Sequence, residues 1–330
     1  MSTPPLLSAR DLSVEFHAPR SLLGRRTGNV QALDKVSFDI HAGEIVGILG
    51  ESGSGKTTVG RCMVRLQRPT AGSVRFEGRD IHALSGPDLN WYRRQVQMIF
   101  QDPAASLNPR LRVRDIVAEG LEIHGIGTRE SRRQKVIDLL ASVGLGEDAL
   151  MRFAHEFSGG QRQRIGIARA MAVGPRVIVA DEPVSALDVS VQAKVINLLR
   201  NLRERLGLAM AFISHDLPTV MFLCDRVVIM YLGRVMEIAP IQTFRAQPFH
   251  PYSRTLLALA PGLRQEGEGN NISAATDLPT AAQDLRHGCA FRNRCPHAMT
   301  ACATVVPPLK QVAPGRWVAC LRPEIFHDPC

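Results

Sequence analysis

The segment Gly50-Glu51-Ser52-Gly53-Ser54-Gly55-Lys56-Thr57 constrains the fold of this chain more than any other stretch. It fits the phosphate-loop pattern G-x-x-x-x-G-K-[ST] without a mismatch. Glu44 to Leu49 before it is apolar enough for a buried strand, and Thr58 to Leu66 after it reads as a helix. Strand, glycine loop and helix is the context the pattern needs. Gly50, Gly53 and Gly55 let the backbone wrap a phosphate chain, so that N–H groups of the loop (Ser52 among them) and of the helix start point at the anion. Lys56 is placed to reach the β- and γ-phosphates, the Thr57 hydroxyl to sit on Mg²⁺, and Thr58 follows in the same first turn. A Gly/Ser-rich connecting turn is the plainer alternative.

The rest of the chain decides what the nucleotide is for. Phe157-Ser158-Gly159-Gly160-Gln161 opens a basic, helix-forming run, and Val177 to Glu182 is an apolar strand ending in two carboxylates. Ser185-Ala186-Leu187-Asp188 follows within a short loop, and His215 closes a second apolar strand, Ala209 to Ser214. With these elements in this order, residues 7 to 260 resemble the ATP-binding subunit of an ATP-binding-cassette transporter. A generic GTPase or kinase lacks the Ser-Gly-Gly-Gln element and the later histidine. The resemblance implies an α/β fold of the P-loop NTPase type: a RecA-like core, an antiparallel β subdomain and a helical subdomain. It also implies ATP and Mg²⁺ as cofactors.

Each element has a chemical reason. A buried strand ending in Asp181 sets a carboxylate beside the phosphate loop to hold the Mg²⁺ shell. Glu182, one residue on, points elsewhere and is the candidate to polarise the attacking water. Ser158, Gly159 and Gly160 form a second anion-binding helix start in a chain with one phosphate loop. The resemblance assigns this second start, with Gln161, to the nucleotide of a partner cassette in a head-to-tail dimer, and counts Asp188 among the nucleotide-binding residues. It also assigns Gln101, after Val96 to Phe100, to the metal and the transmembrane partner, and His215 to the γ-phosphate. Phe16 matches the aromatic that stacks on adenine, although a core phenylalanine alternating with Leu12 and Val14 reads as well.

Strands alternating with helices imply a mostly parallel sheet covered by helices. Leu7 to Phe38 alternates like a small antiparallel sheet. Asp115 to His124 and Glu130 to Val143 carry apolar residues at helical spacing, and the resemblance makes 102–157 the helical subdomain that docks on membrane subunits. Asp102 to Pro109 is a breaker-rich loop at its entrance. No apolar run reaches the roughly 18 residues that span a bilayer, and the N-terminus lacks a signal-peptide pattern. A channel must then come from other chains. The formal net charge of +9 suits a nucleotide, an anionic membrane surface or nucleic acid equally. Arg20, Arg25 and Arg26 read as a solvated loop.

Residues 261–284 are polar and read as a linker; residues 285–330 form a cysteine-rich extension. Of seven cysteines, Cys62 and Cys224 sit singly in apolar stretches and read as small buried hydrophobes. Cys289-x5-Cys295-x6-Cys302-x17-Cys320 crowds the tail, with Cys330 the last residue. Beside a cytosolic-type ATPase core, a metal site accounts for them better than disulfides do. The tight spacing of zinc ribbons is absent, and no ferredoxin spacing is matched either.

Pro248-Phe249-His250-Pro251-Tyr252-Ser253 and Gly288-Cys289 through Cys295-Pro296 resemble the C-terminal extension of dipeptide and oligopeptide importer ATPases. That resemblance favours a [4Fe–4S] cluster on Cys289, Cys295, Cys302 and Cys320 over zinc, stapling an otherwise poorly packed tail. It further implies a second cassette (copy or paralogue), two permease subunits and, indirectly, an extracytoplasmic solute-binding protein. The expected location is the cytoplasmic face of the inner membrane, peripherally bound. The rival is a soluble cassette ATPase acting on ribosomes or nucleic acid. A single cassette, with only about 100 residues between Lys56 and Ser158, argues against it, and no aromatic surface for nucleic acid is evident.

Overall fold

A computed structural model of the chain describes residues 4–17, 29–260 and 287–326. The expected linker, Arg20, Arg25, Arg26 and Cys330 lie outside the described residues. The strands in chain order are β1 Leu7–His17, β2 Asn29–Ile40, β3 Ile45–Leu49, β4 Ala71–Phe76, β5 Arg79–Asp80, β6 Val96–Ile99, β7 Val177–Asp181, β8 Ala209–Ser214, β9 Arg226–Tyr231, β10 Arg234–Pro240, β11 Lys310–Ala313 and β12 Arg316–Val318. They form two sheets. One is antiparallel, in the order β2-β1-β4-β5; the other has eight strands, in the order β11-β12-β10-β9-β3-β8-β7-β6.

Strands β9, β3, β8, β7 and β6 run parallel and make the middle of the large sheet. Their sequences are nearly unbroken apolar runs because both faces are covered. Side-chain alternation splits each strand between two cores. Val46, Ile48, Val177, Val179, Ala209, Ala211 and Ile213 belong to the core shared with the antiparallel sheet and the helix Lys56–Met63. Ile45, Leu49, Ile178, Ala180, Met210 and Phe212 belong to the core shared with the helical region. That region holds helices Val113–Ile123 and Arg129–Ser142, close to the expected spans. Asp102 to Pro109 is not a bare loop: Asp102 accepts the Ala104 and Ala105 N–H groups and starts a one-turn helix, Pro103–Ser106.

Two expectations change. The antiparallel sheet is not confined to Leu7–Phe38, since β4 pairs with the far side of β1. The extension is not loosely packed either. Its hairpin β11–β12 continues the large sheet, with Val318 opposite Glu237 and Trp317 opposite Ile238. Buried Glu237 accepts from the Phe249 and His250 N–H groups at 3.0 and 2.9 Å and faces Arg316 at 3.3 Å. The Arg316 guanidinium lies over the Phe249 ring. These contacts weld the Pro248–Ser253 stretch, β10 and the hairpin together.

Candidate nucleotide site and cysteine pocket

The phosphate loop leaves β3 and enters helix Lys56–Met63. Gly53 and Gly55 have φ of 79° and 96°, a region that L side chains rarely adopt. A Cβ on Gly55 would stand 2.6 Å from the Ala32 carbonyl oxygen, and one on Gly50 2.2 Å from that of Met230. Those two glycines let the loop press against neighbouring strands, whereas a Cβ on Gly53 would meet nothing within 4 Å. Buried Lys56 donates to the Gly50 and Glu51 carbonyls at 2.8 and 2.9 Å.

The parallel strands deliver the remaining groups at their C-terminal ends, where ligands bind in open α/β sheets. At the end of β7, Asp181 accepts from the Thr57 hydroxyl at 3.0 Å. Burial, assisted by Glu182, raises the Asp181 pKa, and burial lowers that of Lys56. Each charge is thus penalised where it stands, and a cation beside Asp181 or an anion beside Lys56 would relieve the cost. Glu182 has φ of 44°, and its N–H is held by the Ile213 carbonyl at 3.0 Å. This uncommon turn directs Glu182 away from Asp181 at a cost of about 1–3 kcal/mol. Gln101, after β6, donates to Glu182 Oε2 at 2.9 Å, and His215 Nδ1, after β8, stands 3.2 Å from Oε1. Five residues predicted separately therefore stand together as two hydrogen-bonded groups, Thr57–Asp181 and Gln101–Glu182–His215, joined by the Asp181–Glu182 peptide. An oxygen-rich pair beside a φ-positive glycine loop fits a magnesium nucleotide.

Ser158 caps helix Gly159–Met171, its hydroxyl accepting from Gln161 N while its own N–H donates to the Gln161 side chain. A Cβ on Gly160 would meet Val191 at 2.3 Å, so glycine there permits close packing on helix Val189–Leu206, which begins just after Asp188. Ser158 to Gln161 lie on that helix start, apart from the Asp181–Glu182 set in hydrogen bonding. Phe16 is 43% exposed and lies opposite exposed Val30. Phe16 lies beyond the last residue of β1 that pairs with β4, Ser13, so its face is left uncovered there.

Cys62 and Cys224 are buried and burial raises both thiol pKa values. Cys289, Cys295, Cys302 and Cys320 line one cavity with His297 and Arg322. Burial lifts Cys289 to about 11, and Cys295 and Cys320 are raised for the same reason. Backbone N–H groups two residues on (Phe291, His297 and Arg322) donate to these three sulfurs and oppose the rise. Among the described residues no three His, Cys, Asp or Glu are grouped to hold a metal ion, so the structure does not bear out the iron–sulfur or zinc site expected on these four cysteines.

Sequence reasoning missed Glu51, Tyr252 and Arg294 as neighbours. The Glu51 N–H donates to the Tyr252 hydroxyl at 3.1 Å, and Arg294 binds the Glu51 carboxylate at 2.9 Å. Local sequence carries no signal for contacts spanning 201 and 243 residues.

Residues 33–185 match the ABC transporter family model, and 236–302 match the oligopeptide/dipeptide transporter C-terminal region. A Brucella ovis protein named for peptide import and ATP binding is 51% identical over 98% of this chain and 100% of its own length. The oligopeptide transport ATP-binding proteins AppF and OppF of Bacillus subtilis are 47% and 44% identical, over 96% and 98% of both chains. Among solved structures, the dimeric post-hydrolysis state of the ATP-binding cassette MJ0796, bound to ADP and Pi, is similar with a TM-score of 0.64. It is 29% identical, over 71% of this chain and 98% of that one. With its loop, carboxylate pair, glutamine and histidine in one place, the chain belongs to the ATP-binding-cassette transporter family and is an ATPase of the oligopeptide/dipeptide branch.

Proposed function

We propose that this chain hydrolyses ATP to drive import of dipeptides, oligopeptides or a related small solute, as one of two cassettes beneath two permease subunits. The observation that carries the reading is the convergence of Thr57, Asp181, Glu182, Gln101 and His215 at the strand ends beside the phosphate loop. Thr57 and Asp181, with Gln101 nearby, would hold Mg²⁺, which supplies Lewis-acid neutralisation of phosphate charge. Lys56 exchanges its loop carbonyls for phosphate oxygens. Glu182 accepts a proton from the attacking water, its carboxylate oriented by Gln101 and His215. Ser158 to Gln161 and Asp188 serve the nucleotide held by the partner cassette, and Phe16 stacks on its own adenine.

The names of the full-length relatives support peptides as cargo. No helix among the described residues is long and apolar enough to cross a membrane, which supports peripheral attachment, assigned here to the cytoplasmic face of the inner membrane. An extracytoplasmic binding protein would present the solute. Co-reconstitution with candidate permease subunits and a solute-binding protein tests the reading. Peptide-loaded binding protein should stimulate ATP turnover and drive peptide uptake. Turnover indifferent to permeases but stimulated by ribosomes or nucleic acid would overturn it.

The four tail cysteines are assigned to a [4Fe–4S] cluster. The match of 236–302 to the oligopeptide/dipeptide transporter C-terminal region supports the cluster over zinc, and the four thiols line one shared cavity. Backbone N–H donors at three sulfurs suit thiolate ligands. Anaerobic purification with metal analysis should find iron and sulfide; one zinc per chain without iron would reject the cluster.

A further inference from the structure

The turn between Cys289 and Cys295 sends two side chains toward the phosphate loop. Phe291, 1% exposed, packs against Tyr231 and Tyr252 with ring centroids 5.4 and 5.3 Å away. Arg294 lies 5.8 and 5.7 Å from the Tyr231 and Phe291 ring centroids. Its Nη1 donates to both oxygens of Glu51 at 2.9 Å. Glu51 is the first residue after Gly50 in the loop, and its carbonyl accepts from Lys56. Its N–H is directed to the Tyr252 hydroxyl. Both the backbone and the side chain of one loop residue are therefore held by elements C-terminal to β10. Arg234 of β10 ties the same turn down by donating to the Gly288 carbonyl at 3.0 Å.

We propose that Arg294 is a positioning residue of the ATP site, neutralising Glu51 and fixing the start of the phosphate loop from the cysteine-bearing extension. The inference rests on the nucleotide reading above. A carboxylate in a loop that receives a polyphosphate repels its ligand, and the repulsion is strong in a partly desolvated place. An arginine bonded to both carboxylate oxygens cancels that charge. Held between aromatic rings, it also removes the freedom of Glu51 to swing toward the anion. The extension thus becomes part of the nucleotide site rather than a separate appendage.

The test measures ATP affinity and steady-state turnover of the full chain. Arg294→Met should raise the ATP Kd and KM roughly tenfold, the equivalent of one charge-assisted contact, with kcat changed less than twofold. Glu51→Gln combined with Arg294→Met should restore affinity to within about threefold of the parent, because the repelling charge is gone. Unchanged affinity in Arg294→Met, or no restoration in the double variant, overturns the proposal. Should Arg294→Met fail to fold, Arg294→Lys keeps the charge and should hold affinity within about threefold; a tenfold loss there overturns it. Lys56→Ala must abolish ATP binding in every background. If it does not, the nucleotide reading itself has failed, and the Arg294 result is judged apart from it.

Discussion

Gln101 Nε2 donates to Glu182 Oε2 at 2.9 Å although 81 residues separate them in the chain. The carboxylate is thereby aimed by a neighbouring strand end, and His215 stands at its other oxygen. Glu182→Gln preserves the shape and removes the base. ATP binding should persist while hydrolysis falls about 10² to 10⁴-fold. Parallel nucleotide-binding and phosphate-release assays check this, and parental turnover would remove Glu182 from its role. Gln101→Ala should cost less, roughly tenfold, since one orienting bond is lost.

Ser158 caps its helix and faces outward, so its side chain can change without disturbing the phosphate loop. Ser158→Arg should bind ATP normally as a monomer yet fail to dimerise with ATP in the Glu182→Gln background. Sedimentation velocity reads the outcome, and ordinary ATP-driven dimers would show that this helix start serves no partner.

Phe16 is exposed beyond the β4-paired part of β1 rather than buried with Leu12 and Val14. Phe16→Ala should weaken ATP by about fivefold or more, the range of roughly 1–3 kcal/mol for base–aromatic stacking. Competition by tripolyphosphate should be unchanged, because that ligand has no base. Equal effects on both ligands would mean that Phe16 supports the loop instead.

His250 is buried, and burial lowers its pKa from 6.5 to about 3. A base whose folded pKa is depressed contributes stability that is present above the unfolded value and lost as pH falls toward the folded one. The docked extension should therefore weaken between about pH 6.5 and 3, at up to ~1.4 kcal/mol per pH unit. Glu237, which accepts the His250 N–H and has its pKa raised by burial, acts with the opposite sign. Hydrogen exchange of β12 in the parent and in His250→Asn isolates the histidine: its contribution should disappear from the variant's pH profile.

Much of the site was legible because each part is a local pattern. Lys56, Asp181, Glu182, Gln101 and His215 sit at strand ends that short apolar runs define. What could not be read is the pairing of distant segments. Nothing local tells β4 to join β1, or β12 to lie on β10, because edge pairing depends on which backbone groups remain unpaired after the core has formed. The exposure of Phe16 was hidden for a related reason: alternation along β1 does not tell where β4 stops covering it. Arg294 and Glu51 meet directly across 243 residues, beside the Tyr231, Tyr252 and Phe291 rings, a geometry that neither segment's composition encodes.

The β11–β12 hairpin has a consequence for how the protein behaves outside its complex. Strand β10 buries Val235, Met236 and Ile238 around Glu237, and without the hairpin its free backbone groups would border the sheet. Exposed apolar borders of this kind recruit strands from other molecules. The outermost strand is instead β11, only four residues long and starting with exposed Lys310. In the folded chain the hairpin therefore leaves only a short strand at this border of the sheet. A chain cut short before residue 287 should precipitate even while its phosphate loop is intact.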